Sequence, residues 1–270
     1  MSKILILTGD HPRHLYFAKQ IILNFQETTH FIQKREAHLP LENNQIGNHL
    51  QKLQKMHFEK RKLHENNWFG DGLVNDEIAI DQIIEGVSLK DDSLYTKFKS
   101  INPDIVLVYG TGLLGPKISS IGKLGCFNFH GGLSPWYKGA ATHFWPSYFL
   151  EPQFTGVTIH RIIDKIDAGE ILHQSTPELV ETDTIHELSC RAVNTAIEEL
   201  IMVVKNILSS KKVQTIPQRK NGKLFLKKDW KPHHLKIIYE TFGDQIVKYC
   251  LENNKIKYPD LYQENWRRRN

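Results

Sequence analysis

Two short, uninterrupted apolar runs, each closed by a glycine, constrain the fold of this chain more than any other feature. Residues 3–9 read KILILTG and residues 105–110 read IVLVYG. Apolar runs without alternating polar positions are typical of strands buried on both faces of a parallel sheet. The first run leads into an amphipathic helical pattern, HPRHLYFAKQIILNF. The order of strand, turn and helix predicts an α/β fold, an open, mostly parallel twisted sheet with helices on both faces, followed by a small α+β extension.

The chain length and the later patterns predict two parts. The 270 residues suit one large domain with an appendage, which we place at 1–212 and 213–270. A polar, helix-forming stretch near 41–69 indicates a helical insert in the large domain. The extension contains PQRKNGKLFL, in which Asn221-Gly222 is a strong hairpin-turn signal, and then HLKIIYETFGDQIVKYCLENN, a helical pattern. A hairpin plus a helix is therefore predicted for the extension.

Charge, hydropathy and cysteine usage narrow the classes of function. The formal net charge of +5 is compatible with an anionic substrate, and we expect neither a nucleic-acid nor a membrane partner. No window of about 18 consecutive apolar residues is present, so no transmembrane helix is predicted. Three widely separated cysteines indicate neither a zinc site nor a disulfide framework. A reducing, cytoplasmic setting without a metal site is expected.

The stretch FNFHGG at 127–132 carries the most chemically capable side chains. Read as a strand, it places Asn128 and His130 on one face and the two Phe rings on the other, because strand side chains alternate. Gly131 and Gly132 then end the strand where the backbone needs freedom or where a ligand must come close. An amide beside an imidazole can stabilise negative charge on a reacting oxygen.

Other polar features are predicted at neighbouring strand ends. The turn 110–112 follows a buried strand, and the loop 164–169 holds Asp164 and Asp167, either of which would orient His130 and raise its pKa. The carboxyl ends of parallel strands meet at one edge, where open α/β sheets bind ligands. No Ser or Cys nucleophile lies in a strained elbow. The pattern therefore favours direct attack by a substrate nucleophile on a carbonyl.

Two segments together resemble the folate-dependent formyltransferase family. NFHGGLSPWYKGAAT is similar to its Asn-x-His signature followed by Leu-x-Pro-x-Tyr-Arg/Lys-Gly, and TGVTIHRIIDKIDAGEIL resembles its second segment, in which Gly-Val-Thr leads to Asp-x-Gly. The spacing between the segments is also similar, and the resemblance covers roughly residues 3–205. One signature Arg is Lys138 here, which keeps the charge but loses the bidentate fork. The resemblance implies a catalytic triad of Asn128, His130 and Asp167.

The same resemblance implies N10-formyltetrahydrofolate as co-substrate. Its pterin would lie against two loops, and the implied contacts are Gly112, Leu113, Leu114, Ile163, Asp164 and Gly169. A neutral substrate amine would attack the formyl carbon, and Asn128 and His130 would stabilise the charge on the formyl oxygen. Asp167 would hold His130, order a water molecule and help carry the proton away. Whether His130 also takes the amine proton stays open.

The resemblance leaves several acceptor amines. Family members formylate amino sugars on nucleotide diphosphates, methionyl-tRNA or glycinamide ribonucleotide, and some relatives hydrolyse the formyl-folate. The tRNA enzymes carry a larger C-terminal domain, and the ribonucleotide enzymes have a Gly-Ser-rich loop where this chain has GDHPRH. We therefore expect a nucleotide-linked amino sugar used for surface polysaccharide such as lipopolysaccharide, with another of these amines as the alternative. An inactive folate-binding protein is the non-enzyme alternative.

Four side chains are expected to contact the acceptor: Asp10, Arg13, Lys138 and Trp145. Arg13 lies beside the free N–H groups of a predicted helix N-terminus, where anions often bind, although a surface position is an equal alternative. Trp145 offers a stacking face for a sugar or base or else packs in the core. Related sugar enzymes are commonly dimers, so a homodimer is expected by analogy.

Overall fold

A central α/β sheet organises the computed structural model, which describes residues 2–34, 47–70, 82–218 and 222–263. The strands in these residues are β1 (Ile4–Thr8), β2 (Thr28–Gln33), β3 (Ile83–Ile84), β4 (Ile105–Tyr109), β5 (Gly125–His130), β6 (Tyr137–Gly139), β7 (Val157–Arg161), β8 (Ile171–Ser175) and β9 (Lys223–Phe225). Seven of them form one sheet in the order β3-β2-β1-β4-β5-β7-β8, and β6 pairs with β9. Within the seven, β7 alone opposes the common direction.

Helices cover both faces of this sheet. In the described residues they are α1 (Pro12–Asn24), α2 (Asn48–Phe69), α3 (Asp92–Ile101), α4 (Pro116–Ser119), α5 (Trp145–Tyr148), α6 (Ile185–Ser210) and α7 (Ile246–Glu252). Phe17 of α1 and Leu200 of α6 pack with Phe127 on one face, and Phe98 of α3 packs with Val106 on the other. The predicted fold class is confirmed. None of the described helices is long and apolar enough to cross a bilayer.

The two apolar runs form the centre of the sheet. Every residue of β1 and β4 is 5% exposed or less, as expected for strands covered on both faces. The register pairs Thr8 with Tyr109 and Val108 with Asn128. The loops that follow β1, β4 and β5 therefore emerge side by side at one edge of the sheet.

The predicted helical insert is α2, which begins at Asn48; residues 41–46 of the predicted span lie outside the described residues. Much of its charged surface is exposed, whereas Leu53, His57 and Phe69 are buried. The helix packs against α1, α6 and a 3₁₀ turn at Pro232–His234. It therefore forms a wall beside the sheet edge rather than a free-standing arm.

The arms of the predicted hairpin in 213–270 pair with other strands instead of with each other. Ile216 forms an antiparallel bridge with Ile171 of β8, and β9 runs parallel to β6. The predicted turn residue Asn221 lies outside the described residues. Phe225 of β9 stacks on Tyr137 and Trp145, and this apolar burial favours the pairing with β6 over a local hairpin.

The helix predicted across HLKIIYETFGDQIVKYCLENN is broken in two. A π-helical turn spans Ile237–Thr241, and α7 begins only at Ile246. Between them Gly243 and Asp244 have φ angles of 57° and 64°, in the left-handed region that a continuing helix does not visit. The Asp244 carboxylate accepts the Ile185 N–H at 3.0 Å, so the break docks the C-terminal segment onto the start of α6.

Candidate active site

Strand β5 carries Asn128 and His130 to the sheet edge at which β1 and β4 also end. Asn128 pairs with Val108 of β4 on one side and with His160 of β7 on the other. Phe127 and Phe129 lie in the hydrophobic cluster beneath α1 and α6. The predicted alternation is therefore confirmed, and the two polar side chains belong to the opposite face of the strand.

Gly132 lets the chain pass very close to the His130 ring. A Cβ atom on residue 132 would lie 2.6 Å from His130 Nε2 and 2.7 Å from the Tyr137 carbonyl oxygen, which is closer than non-bonded atoms approach. The Thr142 hydroxyl donates to the carbonyl of Gly131 beside it. The double glycine thus shapes the floor under the His130 imidazole.

Asp167 lies at the centre of the polar cluster. Its φ of 46° falls in the left-handed region, which Asp tolerates better than most residues. Oδ2 accepts the Gly139 N–H at 3.0 Å and lies 3.5 Å from His130 Nδ1. Oδ1 lies 3.5 Å from Asn128 Nδ2 and 3.4 Å from His160 Nε2. The structure therefore brings together the three side chains that the sequence singled out.

Burial and charge set the ionisation of this cluster. Burial lowers the pKa of His130, although Asp167 acts in the opposite direction. As expected from the sequence, Asp167 by itself raises the pKa of His130. The pKa is nevertheless lowered, because the effect of desolvation is larger than that of Asp167. Burial by itself would raise the pKa of Asp167, but His130, His160 and the Gly139 N–H together lower it to about 2. At neutral pH the site holds a neutral His130 beside a carboxylate anion.

His160 is a member of the cluster that sequence reasoning did not assign to it. Its Nδ1 lies 2.9 Å from the Arg161 carbonyl, which can only accept, so Nδ1 carries a proton. Its Nε2 lies 3.3 Å from Asn128 Nδ2, and this contact orients the amide nitrogen toward His160 and Asp167. The sequence signal that could have identified His160 is the alternation in TGVTIHRI, which places Thr158 and His160 on one face of the strand. Only the β5–β7 register, however, places His160 opposite Asn128.

A cavity of about 440 Å³ adjoins the cluster, a size typical of small-molecule sites. Besides the triad its lining includes Arg13, His14, His57, Phe58, Arg61, Tyr109, Phe144, His186, Ser189 and Trp230. These side chains come from α1, α2, β4, the start of α5, α6 and the C-terminal segment. The sheet edge therefore supplies one wall of the cavity, and α2 with Trp230 supplies the facing one.

Two histidines of the cavity wall, His57 and His143, are held neutral. Burial lowers the pKa of His57 to about 4 and that of His143 to about 4. His143 Nε2 lies 2.9 Å from the Gly156 carbonyl and therefore donates to it, so its Nδ1 accepts from the Ser189 hydroxyl at 2.8 Å. Ser189 consequently keeps its oxygen lone pairs for a donor group within the cavity.

Of the four residues expected to contact the acceptor, Arg13 lines the cavity. The other three, all within the described ranges, lie elsewhere. Asp10 is exposed on the loop after β1, and Lys138 is half-buried on β6. Trp145 is 3% exposed and stacks on Phe225, which corresponds to the core-packing alternative.

The loops expected to hold the donor lie after β4 and around Asp167. The Gly112 N–H donates to Gln33 Oε1 at 2.7 Å, and Leu114 packs against the apolar cluster under α3. Asp164 is exposed. Gly169 lies against the Arg161 backbone, where a Cβ atom would come within 1.8 Å of the carbonyl oxygen, so its role in the fold is close packing.

Large apolar side chains are exposed on these same loops. Leu113 is 62% exposed, Ile163 47% and Ile166 50%. Ile166 immediately precedes Asp167 in the chain. Ligand sites bind flat heteroaromatic rings mainly through apolar contacts. The exposed aliphatic side chains on these two loops are suited to contact such a ring.

Comparison with known proteins gives one family. Residues 41–204 match the family described as Formyl transferase. The chain is 30% identical over 183 residues to methionyl-tRNA formyltransferase of Buchnera aphidicola subsp. Acyrthosiphon pisum, covering 64% of this chain and 58% of that protein. Methionyl-tRNA formyltransferase of Ehrlichia canis is 38% identical over 122 residues, covering 44% of this chain and 40% of that protein. The chain thus spans less than two thirds of the length of these relatives.

Solved structures share the fold. A 4-N formyltransferase from Francisella tularensis superimposes with a TM-score of 0.54 at 17% identity, covering 84% of this chain and 78% of that chain. The formyltransferase PseJ from Anoxybacillus kamchatkensis superimposes with a TM-score of 0.51 at 22% identity, covering 91% of this chain and 96% of that chain. At these identities the likeness establishes the common fold.

Proposed function

The chain belongs to the formyltransferase family, and on that premise we propose that it transfers a formyl group from N10-formyltetrahydrofolate to the amine of a nucleotide-linked amino sugar. One observation carries the proposal: Asn128, His130 and Asp167 meet within 3.5 Å contacts beside a small-molecule cavity. An amide donor, an imidazole and a fixed carboxylate are the groups that acyl transfer to an amine requires.

The side chains have distinct roles in this reaction. The lone pair of the neutral amine forms the new N–C bond, the bond from N10 to the formyl carbon breaks, and the proton released by the amine leaves with the folate nitrogen. Asn128 and His130 donate to the formyl oxygen while negative charge develops on it. Asp167 positions both groups and directs the proton. The contacts of 3.3–3.5 Å suit a site whose hydrogen bonds shorten once substrate is bound.

The residues around the triad fit the proposed donor. When bound, N10-formyltetrahydrofolate supplies the activated one-carbon group. Leu113 on the loop after β4 and Ile163 and Ile166 on the loop that leads to Asp167 present exposed apolar surface, and covering it with a pterin removes that surface from water. These three side chains would hold the ring next to the triad, whereas Gly112 and Gly169 shape the loops that carry them.

A small acceptor is favoured by the wall that faces the triad. His57, Phe58 and Arg61 of α2 and Trp230 of the C-terminal segment line the cavity. Phe58 and Trp230 have ring centroids 5.8 Å apart and provide aromatic surface for a nucleoside base. A sugar nucleotide combines a base, a charged diphosphate and an amine at one end, and the cavity offers complementary groups for each.

Methionyl-tRNA is the second candidate acceptor, because the curated relatives at 30% and 38% identity are methionyl-tRNA formyltransferases. The residues matched by the family, 41–204, contain the triad, and the proposed roles of these three side chains do not distinguish between acceptors. The walled cavity supports the small acceptor instead, since a tRNA end would have to pass α2 and Trp230.

We place the reaction in a reducing, cytoplasmic setting. Cys126, Cys190 and Cys250 are free and buried, and free thiols are the rule in such compartments. Burial raises the pKa of Cys190 to about 12, which keeps this thiol protonated and unreactive.

A donor–acceptor screen tests the proposal. The full chain is incubated with N10-formyltetrahydrofolate and, separately, with UDP- and dTDP-linked amino sugars, methionyl-tRNA, glycinamide ribonucleotide or no amine. Mass spectrometry then follows the gain of one formyl group, and absorbance follows tetrahydrofolate release. We expect formylation of an amino-sugar nucleotide. Formylation of methionyl-tRNA alone would show that the acceptor is the tRNA and not a sugar nucleotide. Release of tetrahydrofolate without any amine would indicate a hydrolase, and no release of tetrahydrofolate with any amine would indicate a folate-binding protein.

Variants of the triad tie the activity to this site. Removing one donor to a developing oxyanion typically lowers kcat by about 10²–10³-fold, so we expect losses of that order for Asn128→Ala and His130→Ala. Asp92→Asn removes a carboxylate that is exposed on α3, away from the triad and the donor loops, and is the control that should retain activity. Turnover within about tenfold of wild type in both alanine variants would contradict the assigned roles.

A further inference from the structure

Two arginines from different helices meet in the cavity wall at a single buried carboxylate. Glu65 Oε1 accepts from Arg61 Nε at 2.7 Å and lies 3.5 Å from Arg13 Nη2. The Glu65 side chain is 7% exposed, so α2 provides a fixed anchor for both guanidinium groups. Because both guanidinium groups contact the same oxygen atom, they are held side by side, and both arginines line the cavity.

This cluster retains unused charge and unused donors. An arginine remains protonated in proteins and carries five N–H donors in a rigid fork. Arg13 and Arg61 face one carboxylate, which leaves one positive charge at this end of the cavity. Arg13 Nε is buried and has no hydrogen-bond partner within the part of the chain that the structure describes. A buried charged donor without a partner is costly, and a bound anion would remove that cost.

The neighbours of the arginines specify what kind of anion fits. Asp167, an acid that lines the cavity, is already held by His130 and the Gly139 N–H. Phe58 and Trp230 add aromatic surface. An anion here would therefore be flanked by two guanidinium forks and by rings suited to a base.

We propose that Arg13 and Arg61, fixed by Glu65, form a diphosphate subsite that binds the phosphate groups of the acceptor. This inference rests on the proposed function and assigns the nucleoside diphosphate of the acceptor to one end of the cavity. Planar guanidinium groups bind phosphate oxygens through paired hydrogen bonds, and two adjacent groups suit two linked phosphates. The amine end of the acceptor then extends toward Asn128 and His130, which line the same cavity.

Calorimetric titration of the full chain, without folate or amine, tests the subsite directly. The probes are inorganic phosphate, inorganic pyrophosphate and UDP. Arg61→Gln is compared with Lys62→Gln, because Lys62 is the next residue of α2, is exposed, and loses the same charge in the same substitution. Arg13→Gln is the second variant. We expect pyrophosphate to bind wild type and the Lys62 variant alike, and both arginine variants at least tenfold more weakly.

The other probes and a stability check complete the test. We expect UDP to bind more tightly than pyrophosphate, and pyrophosphate more tightly than phosphate. Equal affinity for phosphate and pyrophosphate would overturn the diphosphate assignment. Thermal unfolding verifies that each variant is folded; if Arg13→Gln is not, Arg61→Gln decides alone, because the Arg61 side chain is 32% exposed.

The subsite and the proposed function fail in different ways. If wild type binds neither pyrophosphate nor UDP, or if Arg61→Gln binds them like Lys62→Gln, the subsite is wrong even when the amine screen detects formyl transfer. If the screen detects no transfer while pyrophosphate binding still depends on Arg61, the proposed function is wrong and the anion subsite stands.

Discussion

At the residue scale, His130 is 7% exposed among groups that act on its proton affinity in opposite directions. Desolvation disfavours the imidazolium, Asp167 at 3.5 Å favours it, and His160 opposes it again. Because burial is the largest contribution, the pKa of His130 lies below the ordinary 6.5. The neutral ring carries one N–H, and Nε2 lies 3.3 Å from the Tyr137 carbonyl, which can only accept. In the proposed reaction this N–H turns from the carbonyl to the formyl oxygen, and no fixed positive charge lies beside the incoming amine.

The contribution of Asp167 to this balance can be measured. In Asp167→Asn the attraction that raises the pKa of His130 is lost, so this pKa should fall further below its ordinary value. NMR titration of the imidazole Cε1–H signals gives the value, and the His130 signal is identified by its disappearance in His130→Gln. Asp164→Asn is the matched control and should leave the pKa of His130 unchanged. The same pKa in wild type and Asp167→Asn would contradict the assigned contact.

How far the site could be predicted depends on the sequence distance of each contact. Asn128 and His130 belong to one strand, so the period of two was sufficient to place them on a common face. Only the family resemblance favoured Asp167 over Asp164, because both lie in the same loop. His160 could not be assigned because its place depends on β7 pairing antiparallel to β5, and a strand direction is a long-range property. Trp145 was ambiguous because an aromatic ring serves the core and a pocket equally well.

At the element scale, the start of α6 decides where the cavity residues His186 and Ser189 lie. Thr184 Oγ1 accepts the Glu187 N–H at 3.3 Å, as the capping-box pattern Thr-x-x-Glu predicts. The second half of the box does not form, because the Glu187 carboxylate accepts instead from Trp68 Nε1 at 3.0 Å. A second acceptor for this helix end comes from Asp244, 59 residues further along the chain. No local pattern could have predicted that contact.

Asp244 should therefore stabilise two elements at once. In Asp244→Ala the Ile185 N–H loses its acceptor, the Lys60 contact at 3.3 Å is lost, and Ala is strained at a φ of 64°. We expect the free energy of unfolding to fall by about 2–3 kcal/mol. Asp244→Asn keeps an oxygen acceptor and tolerates the left-handed backbone, so its loss should be about 1 kcal/mol or less. Urea unfolding compares the two, and equal losses would contradict the capping role.

At the scale of the whole molecule, the cavity has two walls of different origin. The sheet edge follows from short sequence patterns, whereas the opposite wall depends on contacts between residues far apart in the chain. The sheet edge was predictable because each central strand is a buried run ended by glycine. The opposite wall, made by α2 and Trp230, depends on one apolar cluster that joins Leu53, Tyr137 and Phe225 with Ile238 of the C-terminal segment. Burial of these side chains overrode the local hairpin and helix signals. The C-terminal segment thereby shares one apolar cluster with α2 and β6.

Histidines are buried in several parts of the fold, and the molecule should therefore lose stability in mild acid. Burial lowers the pKa of His30, His57 and His143 to about 4 each, whereas the unfolded value is about 6.5. Between these values the unfolded chain binds more protons, so the stabilisation present above pH 6.5 is lost as the pH falls toward 4, by about 3 kcal/mol per group. Asp167 does not contribute here, because its pKa of about 2 places its loss below pH 4.

A single substitution isolates one of these groups. His30 on β2 lies 2.8 Å from the Thr8 hydroxyl, a contact that a glutamine amide can replace without titrating. We expect the fall in unfolding free energy between pH 7 and pH 4.5 to be smaller in His30→Gln than in wild type by about 2 kcal/mol. Exposed His233 supplies the control, and His233→Gln should show the wild-type fall. Urea titrations at both pH values give the difference, and an unchanged fall in His30→Gln would mean that the protonation of His30 does not drive the acid sensitivity.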